Sequence, residues 1–215
     1  LAWKLAAIHH GRATPSLLSS YNEERHQAAE QNIRVTRRTA HFLRPKDGVE
    51  RLFRRATIDL ARRHAFARPL INTGRMAEAN RYTRSSICTS GGGVCMPNAP
   101  LKWVSGQSGA WNDLLKWAHG RLVVLVFGAL NRSEAQRLRE LSLGADVRVV
   151  QVVGHAREAQ AVEAVLDTKG LLRNAAQADS HRWALVRPDS YVASTGASID
   201  GGLVKSVARA MALSA

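Results

Sequence analysis

The sequence predicts an α/β chain in two parts. A helical arm over 1–68 leads, through an extended connector over 69–100, into a sheet domain over 101–215 of order β-α-β-α-β-β-α. Three observations predict this. Apolar residues recur at helical spacing from Leu1 to Ala61. Two apolar runs, RLVVLVFG (121–128) and VRVVQVV (147–153), have the length and β-branched content of strands buried on both faces. Between them in kind lies 69–110, which keeps no period and is broken by Pro69, Gly74, GGG at 91–93, Pro97, Pro100, Gly106 and Gly109.

Each element has its own signals. Leu1, Leu5 and Ile8 form one face of a first helix, and Gly11 is placed to close it in the left-handed region. Thr14-Pro15 restarts a helix, and Ser20-Tyr21-Asn22-Glu23 fits a capping box. Tyr21, Ala28, Asn32, Val35 and Thr39 continue a thin seam toward Phe42-Leu43. Pro45-Lys46-Asp47-Gly48 is a turn by its chemistry. Val49, Leu52, Phe53, Ala56, Leu60 and Ala61 make the stripe of the next helix, which should stop before Pro69. The connector should hold at most one short strand. Beyond it, 111–118 reads as a short helix. Ser133 caps a helix carrying Ala135, Leu138 and Leu141, and Gly144 ends it. Residues 156–166 read as a helix through Ala159, Val162 and Val165. WALVR (183–187), Pro188-Asp189-Ser190 and YVAS (191–194) make an antiparallel hairpin, and Ile199 to Leu213 a closing helix. Two strands joined by a helix should be parallel with a right-handed crossover. Followed by a hairpin, that order is thioredoxin-like.

Composition narrows the function. The chain carries 31 Lys+Arg against 17 Asp+Glu, a net +14. Such a field attracts anionic partners. The arginines, however, are spread from Arg12 to Arg209, and the densest stretch, RLFRRATIDLARRHAFAR, has an apolar stripe of its own. A solvated or partner-facing helix is the expectation, ahead of a nucleic-acid contact. No apolar run reaches the roughly 20 residues of a membrane span, so no membrane partner is expected. Two cysteines, Cys88 and Cys95, are too few for a disulfide scaffold and predict reduced thiols in a cytoplasmic setting.

The candidate sites are few. His9 and His10 are adjacent on a helix and point about 100° apart, which is poor for chelation. SGGGVC (90–95) lacks the Lys-Ser/Thr of a phosphate loop. Thioredoxin redox chemistry needs a CxxC at the start of the helix after the first strand. Here that place reads Gly128-Ala129-Leu130-Asn131-Arg132. Arg187-Pro188-Asp189 reads as a turn. Trp103, Trp111, Trp117 and Trp183 are either core or interface anchors. No catalytic, cofactor-binding or metal-ligating residue is assigned.

Three motifs carry a resemblance. LAWKL (1–5), LLSSYNEER (17–25) and RPDSYVA (187–193) stand in the order and spacing seen in FAD-dependent aromatic hydroxylases, the class A flavoprotein monooxygenases. The chain resembles the C-terminal part of members with a thioredoxin-like tail, such as phenol and 3-(3-hydroxyphenyl)propionate hydroxylases. GGGVCMPNAPL (91–101) is similar to a G-x-R-x-P-D-x-P-L segment, departing at Val94-Cys95-Met96 and Asn98. The resemblance implies FAD and NAD(P)H in the intact relative, hydroxylation of a phenolic ring, and a dimer. The partner it implies for this chain is an N-terminal FAD and substrate domain. The fingerprint GxGxxG that seats the FAD pyrophosphate is not in these 215 residues, so the chain alone is expected to bind no cofactor and to serve packing and subunit contact. That reading predicts an exposed apolar face at Leu1, Leu5 and Ile8. Two other classes stay open: a stand-alone, redox-inactive thioredoxin-like interaction module, and a basic nucleic-acid-binding protein.

Overall fold

The computed structural model describes residues 1–46, 48–71, 79–89, 91–160 and 163–213. The chain divides into two compact units, 1–24 with 81–215, and 25–80. The first unit is built on a seven-stranded mixed sheet of order β2-β1-β5-β4-β3-β6-β7. Its strands are β1 (Pro100–Trp103), β2 (Ser108–Ala110), β3 (Leu122–Phe127), β4 (Val147–Val153), β5 (Ala164–Asp167), β6 (Trp183–Val186) and β7 (Val192–Gly196).

The centre follows the sequence expectation. β3 and β4 are parallel, joined through a helix over 132–144, while β6 runs antiparallel to β3 and β7 to β6. All six β3 residues are buried. They alternate: Leu122, Val124 and Val126 face one core, Val123 and Leu125 the other. The first core is closed by α1 (Ala2–His9), the start of α2 (Leu17–Leu43), α6 (Arg132–Gly144) and α8 (Gly201–Ala210), through Ala7, Leu17, Leu138 and Val207. The second is closed by α5 (Trp111–Trp117) and α7 (Leu171–Ala175), through Trp111, Leu114 and Leu172. Burying each such side chain is worth about 1.5–3 kcal/mol.

One expected helix is absent. Residues 156–166 contain a single 3₁₀ turn at Ala156–Glu158 and then β5, with 161 and 162 outside the described residues. The buried amide of Gln151 explains this. It donates to Glu158 O at 3.2 Å and accepts from Gln160 N at 2.7 Å, taking the groups a continuing helix needs. β5 lies parallel to β4 and antiparallel to β1. The connector therefore ends in two strands, β1 and β2, that extend the sheet. Residues 72–78, Ser90 and Asp47 of that connector and of the 45–48 turn lie outside the described residues.

Smaller expectations divide. Gly11 closes α1 at φ +67. Ser20 does not cap: it lies inside α2 and donates to Leu17 O. Asn131, not Ser133, caps α6, in a reciprocal box with Glu134. α8 starts at Gly201, capped by Asp200, and is shorter than 199–213. All four tryptophans of the sheet domain pack in its two cores.

The second unit holds the rest of α2, α3 (Val49–Arg63), a 3₁₀ turn at Ala65–Ala67 and α4 (Arg68–Ile71), with Pro69 in the first turn of α4. Its expected stripe faces outward. Val49, Leu52 and Phe53 are 81%, 69% and 64% exposed, and of the stripe only Ala61 is buried.

Candidate functional site

The three motifs that carry the resemblance meet at one place in the first unit. Lys4 and Trp3 come from α1, Ser20 and Glu24 from successive turns of α2, and Arg187 and Asp189 from the β6–β7 turn. Ser85 joins from the connector. Arg187 is fully buried, Lys4 and Glu24 nearly so.

Glu24 accepts on both oxygens. Oε1 takes Ser85 Oγ at 2.7 Å and Arg187 Nη1; Oε2 takes Lys4 Nζ at 3.0 Å and Arg187 Nη2 at 3.0 Å. Lys4 also donates to Ser20 Oγ at 2.7 Å. On its other side the Arg187 fork holds Asp189, Nε to Oδ1 at 3.0 Å and Nη2 to Oδ2 at 2.6 Å. Trp3 Nε1 donates to Asp189 Oδ2 at 2.8 Å. The guanidinium also lies 5.5 Å from the Trp3 and Tyr191 ring centres and 6.0 Å from Tyr82. Two cations face two carboxylates, so the cluster is neutral, and planar bidentate pairing suits Arg over Lys at its centre.

Burial opposes charge on Glu24 and Asp189, and the Arg187 hydrogen bonds and charge outweigh it. Both carboxyls are held below the ordinary range. Burial pulls Lys4 below the usual lysine value against the attraction of Glu24. Burial also works against the Arg187 cation, yet Asp189 and Glu24 raise its pKa above the ordinary arginine value. Burial pushes the neighbouring Cys88 thiol up, which makes it a poor nucleophile. This arrangement clamps α1, α2, the connector and the β6–β7 turn together.

Sequence reading took Arg187-Pro188-Asp189 as a turn, and a turn it is, with Ser190 N donating to Arg187 O at 3.0 Å. It missed that the same residues anchor the network, and it singled out neither Lys4 nor Glu24. The available signal was the charge lodged in each motif, at Lys4, at Glu24 and at Arg187 with Asp189. His9 and His10 are exposed and meet only as ring neighbours at 5.2 Å. No metal-binding group of side chains occurs among the described residues.

The SGGGVC stretch has a packing role. Gly93 N donates to Val192 O at 2.7 Å and Thr89 N to Ala193 O at 2.8 Å, laying the segment on β7. A Cβ on Gly93, at φ +78, would overlap Tyr82 O.

The turn after β3, where a redox motif or phosphate loop would sit, is closed by side chains. Arg182 donates to Phe127 O at 2.7 Å and Ala129 O at 2.6 Å, and pairs with Glu134 at 3.2 Å. A pyrophosphate brought to that helix start would meet the Glu134 carboxylate, so this β-α-β unit does not fit a dinucleotide.

Comparison with known proteins agrees with the motif reading. A family model described as FAD binding domain matches residues 1–36, and one described as HcaD C-terminal domain matches 108–210. The chain is 33% identical over 131 residues to the dialkyldecalin synthase of Streptomyces rugosporus, covering 60% of this chain and 24% of that protein. It is 37% identical over 87 residues to the tetracenomycin B2 monooxygenase-dioxygenase of Streptomyces olivaceus, covering 40% and 13%. The crystal structure of the flavin-dependent monooxygenase PieE, in complex with FAD and substrate, matches 100% of this chain and 43% of its own, with TM-score 0.67 and 20% identity. The chain thus spans less than half the length of each of these relatives. The chain is thus similar to an FAD binding domain over residues 1–36, to an HcaD C-terminal domain over 108–210, and in part to a monooxygenase-dioxygenase.

Proposed function

We propose that the chain acts as the C-terminal segment of an FAD- and NAD(P)H-dependent monooxygenase that hydroxylates a phenolic ring. Its thioredoxin-like domain has no redox role and is clamped to the end of the FAD domain. One observation carries this reading. The buried network joins Lys4 and Glu24, within the FAD-binding match, to Arg187 and Asp189, within the HcaD C-terminal match. Leu1 and Leu5 are 51% and 47% exposed, as a face awaiting the rest of an FAD domain would be, while Ile8 is half-buried. Flavin would supply the oxygen chemistry in the whole enzyme; this chain supplies packing, docking and contact between copies in a cytoplasmic homo-oligomer.

The test is titration of the purified chain with FAD, read by flavin fluorescence beside an intact mass of 23.5 kDa. No saturable binding is expected. Tight, saturable binding would overturn the non-catalytic reading. A second reading, a stand-alone interaction module, is favoured by Ala7, Ala13 and Leu17, which pack into the chain's own core. It predicts cooperative unfolding of the isolated chain with no gain on adding flavoprotein partners.

A further inference from the structure

Besides its apolar stripe, α3 carries a second row. Arg51, Arg54, Arg55 and Ile58 fall at i, i+3, i+4 and i+7, on one side of the helix. With Pro45, Leu52 and Asp59 they line a cleft of about 640 Å³ within the second unit. That size suits a small molecule, whose sites run from roughly 300 to 1,000 Å³. Glu50 holds the turn that carries Pro45. Its Oε2 accepts from Lys46 N at 2.7 Å, and its Oε1 lies 4.0 Å from His41 Nδ1.

The cations of the cleft are not used up within the chain. Arg54 and Arg55 make no hydrogen bond or ion pair among the described residues, and Asp59 pairs with neither. Arg54 Nε is buried and has no acceptor. A buried N–H left in that state calls for one. Three guanidiniums against the single Asp59 carboxylate leave two positive charges on the lining. The surroundings add to the field, since residues 25–80 carry thirteen Lys and Arg against five Asp and Glu.

We propose that this cleft binds a phosphate monoester. A monoester carries close to two negative charges at neutral pH, which balances the lining, whereas a carboxylate or an internal diester carries one. Guanidinium forks take phosphate oxygens in pairs, and arginine is the residue suited to that geometry. Pro45, Leu52 and Ile58 give the organic body of the ester an apolar wall. The site does not rest on the monooxygenase reading; only its source does. Of the two nicotinamide co-substrates named above, NADPH bears a phosphate monoester and NADH does not.

Calorimetric titration of the intact chain with adenosine 2′-monophosphate, beside adenosine, tests this. Saturable binding of the ester and none of adenosine is expected, weakening as NaCl rises. Arg54→Gln and Arg55→Gln should each raise Kd by about tenfold, and Asp59→Asn should lower it. Arg139→Gln and Asp179→Asn, exposed in the other unit, change net charge equally and should leave Kd where it is. Circular dichroism checks the fold of each variant. A chain that binds no ester at low salt overturns the proposal. So does a Kd that moves with Arg139→Gln as far as with Arg54→Gln, since the ester would then be reading the general field. A single-stranded oligonucleotide that binds more tightly and displaces the ester overturns it in favour of nucleic acid. NADPH should compete with the ester and NADH should not; if neither competes, the NADPH source is overturned and the site stands. FAD holds its phosphates as internal diesters and should not compete, so the FAD titration reads the earlier proposal independently.

Discussion

At the scale of single residues, Arg187 decides most. A buried ion pair contributes little net stability, yet removing one partner strands the other's charge. Arg187→Met leaves Glu24 and Asp189 without their shared cation, and about 3–5 kcal/mol of unfolding free energy should be lost, read from denaturant midpoints. Arg187→Lys should recover only part of it, since an ammonium cannot make both bidentate contacts. The pH dependence has a definite sign. Glu24 and Asp189 have folded pKa values below their unfolded ones, so their stabilisation is complete above about pH 5. It is lost as pH falls through the depressed folded values. Urea midpoints that stay flat on acidification would contradict this. Gly93→Ala combines a left-handed φ with a clash on Tyr82 O and should cost about 2 kcal/mol or more, seen as a lower Tm. The network was half legible in sequence. Its charged residues lay inside the three motifs, but charge at Lys4 and Glu24 looks like ordinary helix surface until 163 residues of separation between Glu24 and Arg187 are folded away.

At the scale of elements, periodicity served where a strand is buried on both faces or a helix has a clean stripe. β3, β4, the β6–β7 hairpin, α5 and α6 stand where their patterns placed them. It failed at 156–166, where Ala159, Val162 and Val165 fit a helix but the Gln151 amide occupies the backbone. Gln151→Leu keeps the volume and leaves Gly128 O, Glu158 O and Gln160 N–H short of a partner. About 1–3 kcal/mol should be lost, measurable by thermal melting. The β1–β2 extension was hidden for the same reason: its neighbour in the sheet is β5, and without β5 the connector has nothing to pair with. The α3 stripe was read correctly as one face of a helix, and it stands exposed. A stripe reports that something apolar will be met, and not whether it is in the same unit.

At the scale of the whole molecule, the two units should differ in how firmly they hold. Amide hydrogen exchange on dilute protein should be slowest in β3, β4 and β6, which lie inside the sheet, and fast through 25–80, where little is buried. Protection of 25–80 equal to that of β3 would contradict this. The glycine-rich segment laid on β7 has a further consequence, in the chain's behaviour at high concentration. An open sheet is a template for strangers: unpaired peptide groups on a terminal strand recruit strands from other molecules. Here one flank of the sheet is occupied by Thr89, Gly93 and Val94, bonded to Val192 and Ala193, and the other ends in β2, three residues long. Neither flank offers a run long enough to seed cross-strand growth. The three glycines, by letting backbone lie on backbone, act as a guard against fibrils.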